Sequence, residues 1–186
     1  MPFVFDKTEI QGVIEIEPII FEDIRGFFAE TYTKKEFEKN EIRDDFVQEN
    51  CSYSTRGVLR GLHYQKNPHA QAKLVRCDKG IIYDVAVDIR QGSPTYGKWV
   101  GVLLSGEKKN MLYIPEGFAH GFCVLSDDAM VVYKASKRYS PSSEAGIWWC
   151  DEDLRIDWPV SMPKMSDKDL NLPKFKNSDN NFIYHE

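Results

Sequence analysis

The feature that most constrains this chain is its punctuation. Between about Ile10 and Lys137, short runs rich in β-branched and aromatic residues are broken at close spacing by Gly, Pro, Asn and Asp. Runs of that length make strands, and the residues between them turn the chain back, so the pattern predicts an all-β sandwich or barrel with a few short helices. The clearest strand is Ile82 to Ile89, where Tyr83, Val85, Val87 and Ile89 share one face and Asp84, Ala86 and Asp88 the other. Inside this region the one convincing helix is short, about Lys34 to Asn40, with Phe37 as its lone apolar anchor. From Pro141 the texture becomes irregular, with Trp148, Trp149 and Trp158 to pin it down, and the residues from about 175 are expected to fray. No internal repeat or low-complexity tract occurs, so solenoids and propellers are set aside.

The 186 residues are read as one domain, and 42% apolar residues supply its core. A net charge of −5 argues against nucleic acid or an anionic membrane as partner, because both reward a basic field. No apolar run approaches the roughly 20 residues of a membrane span, and the first residues lack a basic-then-apolar leader pattern, so a cytoplasmic location is expected. The four cysteines, Cys51, Cys77, Cys123 and Cys150, form no CxxC pair and read as reduced, mostly buried thiols.

Two clusters carry chemistry. Gly57-Val58-Leu59-Arg60-Gly61-Leu62-His63-Tyr64-Gln65 sets two glycines, an arginine and a histidine inside a strand-like run. His63 is a general-base candidate, since imidazole titrates near neutral pH; a structural histidine is the alternative. Strict alternation puts Arg60 and His63 on opposite faces, so a shared site requires a bulge at Gly61. The second cluster, Tyr113 to Phe122, contains Pro115-x-Gly117-x-x-His120, a turn that delivers His120 to the start of a strand. Its spacing resembles the second cupin motif. The first cupin motif would bring a His-x-His pair and a carboxylate; here only His63 occurs, too few ligands for a metal, and no cofactor is expected. His69 and His185 read as surface histidines. Arg25, Arg60, Lys73 and Arg76 stand beside glycines or apolar strand residues and are candidates to meet an anion. Tyr133, in an apolar strand, acts as an acid only if the site is enclosed.

Taken together, Asp23 to Glu30, Gln48-Glu49-Asn50, Gly57 to Gln65, Lys73 to Arg76, Asp84 to Arg90, Ile114 to Phe122 and Tyr133-Lys134 resemble the dTDP-4-dehydrorhamnose 3,5-epimerase family, over about Ile10 to Pro173. The resemblance implies a cupin-type jelly roll with no essential metal and a homodimer whose subunits exchange an N-terminal strand. It implies a dTDP-linked 4-keto sugar as substrate, inverted at C3 and C5. His63 is then the base, Asp169 its dyad partner, Tyr133 the acid on the far face of the sugar, and Lys73 the neighbour of the keto oxygen. Substrate contacts are implied for Arg25, Glu30, Gln48, Asn50, Arg60, His120, Glu144 and Lys168, with Tyr139 stacking on thymine. Glu49 stands where the family commonly has Asp and is expected to contribute mainly backbone.

Alternatives on the same scaffold are a single-site epimerase and a 3,4-ketoisomerase. More distant ones are a metal-dependent cupin oxygenase, disfavoured by the missing His-x-His, and a carbohydrate-binding jelly roll that never exchanges sugar hydrogens.

Overall fold

The structure is a computed structural model, and residues 2–185 are described. In chain order the strands are β1 (Phe3–Lys7), β2 (Ile14–Pro18), β3 (Ile20–Asp23), β4 (Gly26–Ala29), β5 (Gln48–Thr55), β6 (Leu59–Gln65) and β7 (Lys73–Lys79). They continue with β8 (Ile81–Asp88), β9 (Trp99–Ser105), β10 (Met111–Ile114), β11 (Phe118–Val124), β12 (Asp128–Ala135) and β13 (Glu144–Gly146). Two short helices, α1 (Lys34–Lys39) and α2 (Asp167–Leu170), complete the set. A six-stranded sheet runs β1-β2-β10-β7-β12-β5 and a five-stranded sheet β13-β6-β11-β8-β9, while among the described residues β3 and β4 pair only with each other. All the paired strands are antiparallel. This is the expected jelly-roll sandwich, in which neighbours in space are distant in sequence.

Alternation decides what each strand contributes. On β7, Val75 and Cys77 enter the core between the sheets, where they meet Ile82 and Ala86 of β8, Phe122 of β11 and Val131 of β12. The opposite face of β7, through Leu74, joins Phe3, Ile16 and Phe37 in a second cluster under α1. Phe37 is fully buried there, with its ring edge-on to Phe3 at 5.2 Å and Tyr32 at 4.9 Å; burial of such a ring is worth roughly 1.5–3 kcal/mol. The outer face of the five-stranded sheet, with Val85, Val87 and Ile89, packs under Ile147, Leu154, Trp158 and Phe182 of the irregular segment.

That last contact corrects the expectation of a frayed tail. Phe182 is buried, Ile183 bridges to Gln91, and the Tyr184 N–H donates to the Gln91 carbonyl at 2.9 Å. An aromatic plug at Phe182 and ring contact between Tyr96 and Phe175 at 5.1 Å hold a segment whose polar sequence hid them. A second correction concerns the thiols. Cys77 and Cys123 are buried, but Cys51 and Cys150 are exposed, because both fall on outward-facing positions; all four are free. Among the described residues no helix is long and apolar enough to cross a membrane.

Candidate active site

The two sheets part around a cavity of about 310 Å³, lined by Ser52, Arg60, His63, Lys73, His120, Phe122, Tyr133, Ser166, Lys168 and Asp169. How Arg60 and His63 come to share it is a matter of register. On β11, His120 pairs with His63 and Phe122 with Arg60, so two steps on one strand face three on the other and the ladder slips between them. The slip is a bulge at Gly61, which turns both side chains to one face. Only glycine fits: φ is +137°, and a Cβ there would stand 2.5 Å from the Gly121 Cα. Arg60 is steadied by its Nε, which donates to Ser54 Oγ at 3.1 Å.

His63 and Tyr133 occupy opposite walls, one on the five-stranded sheet and the other on the six-stranded sheet. The His63 Nε2 meets Asp169 Oδ1 at 2.7 Å, and the Gly61 N–H donates to Asp169 Oδ2 at 3.3 Å. Ser166 caps α2 by accepting from the Asp169 N–H, which fixes the carboxylate's backbone. Burial pushes the Asp169 carboxyl up, but the bonds from His63, Gly61 and Ser166 outweigh it and hold it below the usual range. The carboxylate accepts from Nε2–H and so orients the ring; in a neutral imidazole held this way the lone pair falls on the other nitrogen.

Tyr133 is raised above its ordinary value, chiefly by burial; nearby Arg60 pulls it down and Glu144 pushes it up. It is a neutral phenol at pH 7, a proton donor. Lys73 projects from β7 and its Nζ lies 5.9 Å from the centre of the Tyr133 ring. Burial lowers its ammonium to about 8, against the pull of Asp84 and Glu144. Its Nζ also lies 3.5 Å from His120 Nδ1, bridging the sheets, while His120 Nε2 meets Asp84 Oδ1 at 2.8 Å. Burial keeps the His120 ring below its ordinary pKa and neutral, despite Asp84.

From Lys168 a polar rim leads away from the cavity. Lys168 Nζ meets Glu144 Oε1 at 2.6 Å, the Tyr139 hydroxyl donates to Glu144 Oε2 at 2.7 Å, the Tyr139 N–H donates to Gln48 Oε1 at 2.9 Å, and Gln48 Nε2 donates to Asn50 at 3.0 Å. The Tyr139 ring is 53% exposed and free to receive a flat partner.

Three expected contacts lie elsewhere. Glu49 alternates to the outer face of β5 and bonds Lys134 Nζ at 2.7 Å, so its side chain does not reach the cavity. Arg25 sits in the turn of the exposed β3–β4 hairpin, bonded to Asp23, and Glu30 follows β4; neither lines this chain's cavity. Three cavity-lining residues, and one bonded to the lining His120, were not singled out from sequence. Ser52 follows from β5 alternation with Gln48 and Asn50, whereas Phe122, Ser166 and Asp84 carried no local signal that separates them from core or cap. Among the described residues no group of three or more His, Cys, Asp or Glu is placed to hold a metal ion.

A family model for dTDP-4-dehydrorhamnose 3,5-epimerase matches residues 7–177. The chain is 59% identical to the dTDP-4-dehydrorhamnose 3,5-epimerase of Shigella flexneri over 93% of its length and 96% of the relative's. Among solved structures it resembles the dTDP-6-deoxy-D-glucose-3,5-epimerase of Legionella pneumophila in complex with dTDP-4-keto-L-rhamnose, at TM-score 0.92 and 48% identity over 95% of both chains. It is also similar, at TM-score 0.86 and 37% identity over 92% of this chain and 87% of the other, to a 3'-monoepimerase from Streptomyces bikiniensis in complex with dTDP-quinovose.

Proposed function

Since the chain belongs to the dTDP-4-dehydrorhamnose 3,5-epimerase family, we propose that its cavity inverts C3 and C5 of a dTDP-linked 4-keto-6-deoxyhexose by proton transfer between two facing walls. The observation that carries this reading is the placement of His63 and Tyr133 on opposite sheets around one cavity.

A ketone at C4 acidifies the hydrogens on C3 and C5, because the anion left behind delocalises onto oxygen. His63, oriented by Asp169, removes the hydrogen from one face. Lys73, charged at neutral pH, stabilises the enolate oxygen as it forms. Tyr133 returns a proton from the other face, and the carbon inverts. Arg60 and Lys168 hold the diphosphate with charged donors, and Tyr139 stacks on thymine beside Gln48, Asn50 and Glu144. The test is incubation with dTDP-4-keto-6-deoxyglucose in deuterated water: label at both C3 and C5 supports the reading, label at C3 alone makes the enzyme a single-site epimerase, and no label refutes it.

The hairpin supports a homodimer. Phe21, Ile24, Phe27 and Phe28 are all more than half exposed around Arg25, an apolar patch that a second copy would cover while bringing Arg25 and Glu30 to its partner's cavity. Light scattering should return about twice the 21.5 kDa of one chain; a monomer would remove both residues from the site.

A further inference from the structure

Behind the cavity wall, bonded to the lining His120, lies a buried carboxylate that the proton transfers above do not use. Asp84 is wholly inaccessible, sits on β8 opposite Phe122, and gives Oδ1 to His120 Nε2 at 2.8 Å; its Oδ2 meets no donor among the described residues. A carboxylate in such a place is costly unless opposite charge or donors compensate it, and a half-satisfied one needs a reason. The compensating charge lies one step further on, at Lys73 Nζ, which faces the other nitrogen of the same imidazole at 3.5 Å.

We propose that Asp84 is a positioning residue of the enolising site, acting through His120 to aim Lys73 and keep it charged. The carboxylate accepts the Nε2–H of His120, which leaves a lone pair on Nδ1 as the only role that nitrogen has toward Lys73. A neutral ring of that tautomer accepts from the ammonium and holds it between the sheets. Reversed, the ring would present N–H to the lysine and push it away. The other titratable groups that face the trio are Cys77 on β7, Tyr133 on β12, His63 on β6 and Glu144 on β13. Of these, Glu144 alone adds negative charge toward Lys73, and it is tied to Lys168, so Asp84 is the main counter-charge. The inference rests on the epimerase reading, in which the charged lysine meets the enolate oxygen.

Asp84→Asn keeps an oxygen acceptor for His120 and the side chain's shape but removes the charge, so a purely architectural role survives it. The readout is deuterium exchange into dTDP-4-keto-6-deoxyglucose as a function of pH. The alkaline limb should move about one pH unit lower, with exchange at pH 8 down about fivefold and dTDP binding retained. The double variant Asp84→Asn/His120→Asn should exchange no more than about twofold slower than His120→Asn, because both act on one chain of bonds. A limb unmoved in Asp84→Asn, or losses that multiply in the double variant, would overturn the role. In ¹⁵N-labelled wild-type protein, a reading independent of any variant's folding, the His120 ring should be the Nε2–H tautomer; Nδ1–H would also overturn it. Wild-type protein that exchanges nothing would instead refute the epimerase reading itself.

Discussion

His63 bonds Asp169 across 106 positions of sequence, from a strand to the short helix after the irregular segment, whereas His120 bonds Asp84 from the adjacent strand of its own sheet. The side chain of His63 is 32% accessible and that of His120 only 8%. Both are imidazoles held by a carboxylate at nearly the same distance, yet one keeps a free nitrogen facing open space and the other has both nitrogens occupied. Composition therefore does not separate a base from a fixed donor. Access does: a proton can enter and leave at His63, while His120 is locked between Asp84 and Lys73 and kept neutral by burial.

The comparison breaks most sharply by exchanging its members. His63→Asn should lower deuterium exchange by at least about 10³-fold with dTDP binding intact, and His120→Asn by only about tenfold; equal losses would mean that both rings move protons. Next in size is Asp169→Asn, which keeps an acceptor but can present the wrong tautomer to His63. It should cost about 10²-fold in kcat with little change in KM, read by steady-state kinetics. Because Asp169 titrates below its ordinary value, its charged form supports folding above about pH 4, and that support is lost as pH falls through the lowered value. The acid limb of wild-type thermal stability should therefore flatten in Asp169→Asn.

On stability, Lys73 acts with the opposite sign to Asp169. Lys73 titrates near 8 in the fold against 10.5 ordinarily, so at neutral pH the unfolded chain holds its proton more firmly and the buried ammonium opposes folding. Lys73→Met should abolish turnover yet raise stability by about 1–2 kcal/mol, a figure reduced because the side chain lines an open cavity. A urea midpoint measured at pH 7 and again at pH 10 should show the gain shrink as the wild-type lysine loses its charge; a gain independent of pH would assign it to packing.

Much of this was legible in the sequence. Alternation in Ile82 to Ile89 located β8, and the glycine-bracketed run located His63 and Arg60, because strand periodicity and glycine breaks are local signals. Whether Arg60 and His63 share a face was not, since a one-residue slip is set by the fit of Gly61 against Gly121, two strands that the sequence does not juxtapose. The same holds for Asp84, which reads as a polar-face residue until β11 brings His120 beside it, and for Phe182, whose burial depends on Val85 and Val87 of β8, far earlier in the chain. Arg25 and Glu30 matched the family pattern, but neither lines this chain's own cavity, because among the described residues β3 and β4 pair only with each other.

The central claim is that protons leave and return on opposite walls, and Tyr133→Phe tests it most directly. With the donor gone from the six-stranded sheet and His63 intact, the enolate should still form and take its proton back from the original face. Incubated with dTDP-4-keto-6-deoxyglucose in deuterated water, the variant should give sugar labelled at C3 and C5 with configuration retained, where the wild type gives label with inversion. Inversion at the wild-type rate in Tyr133→Phe would contradict the account, since some other group would then supply the second face.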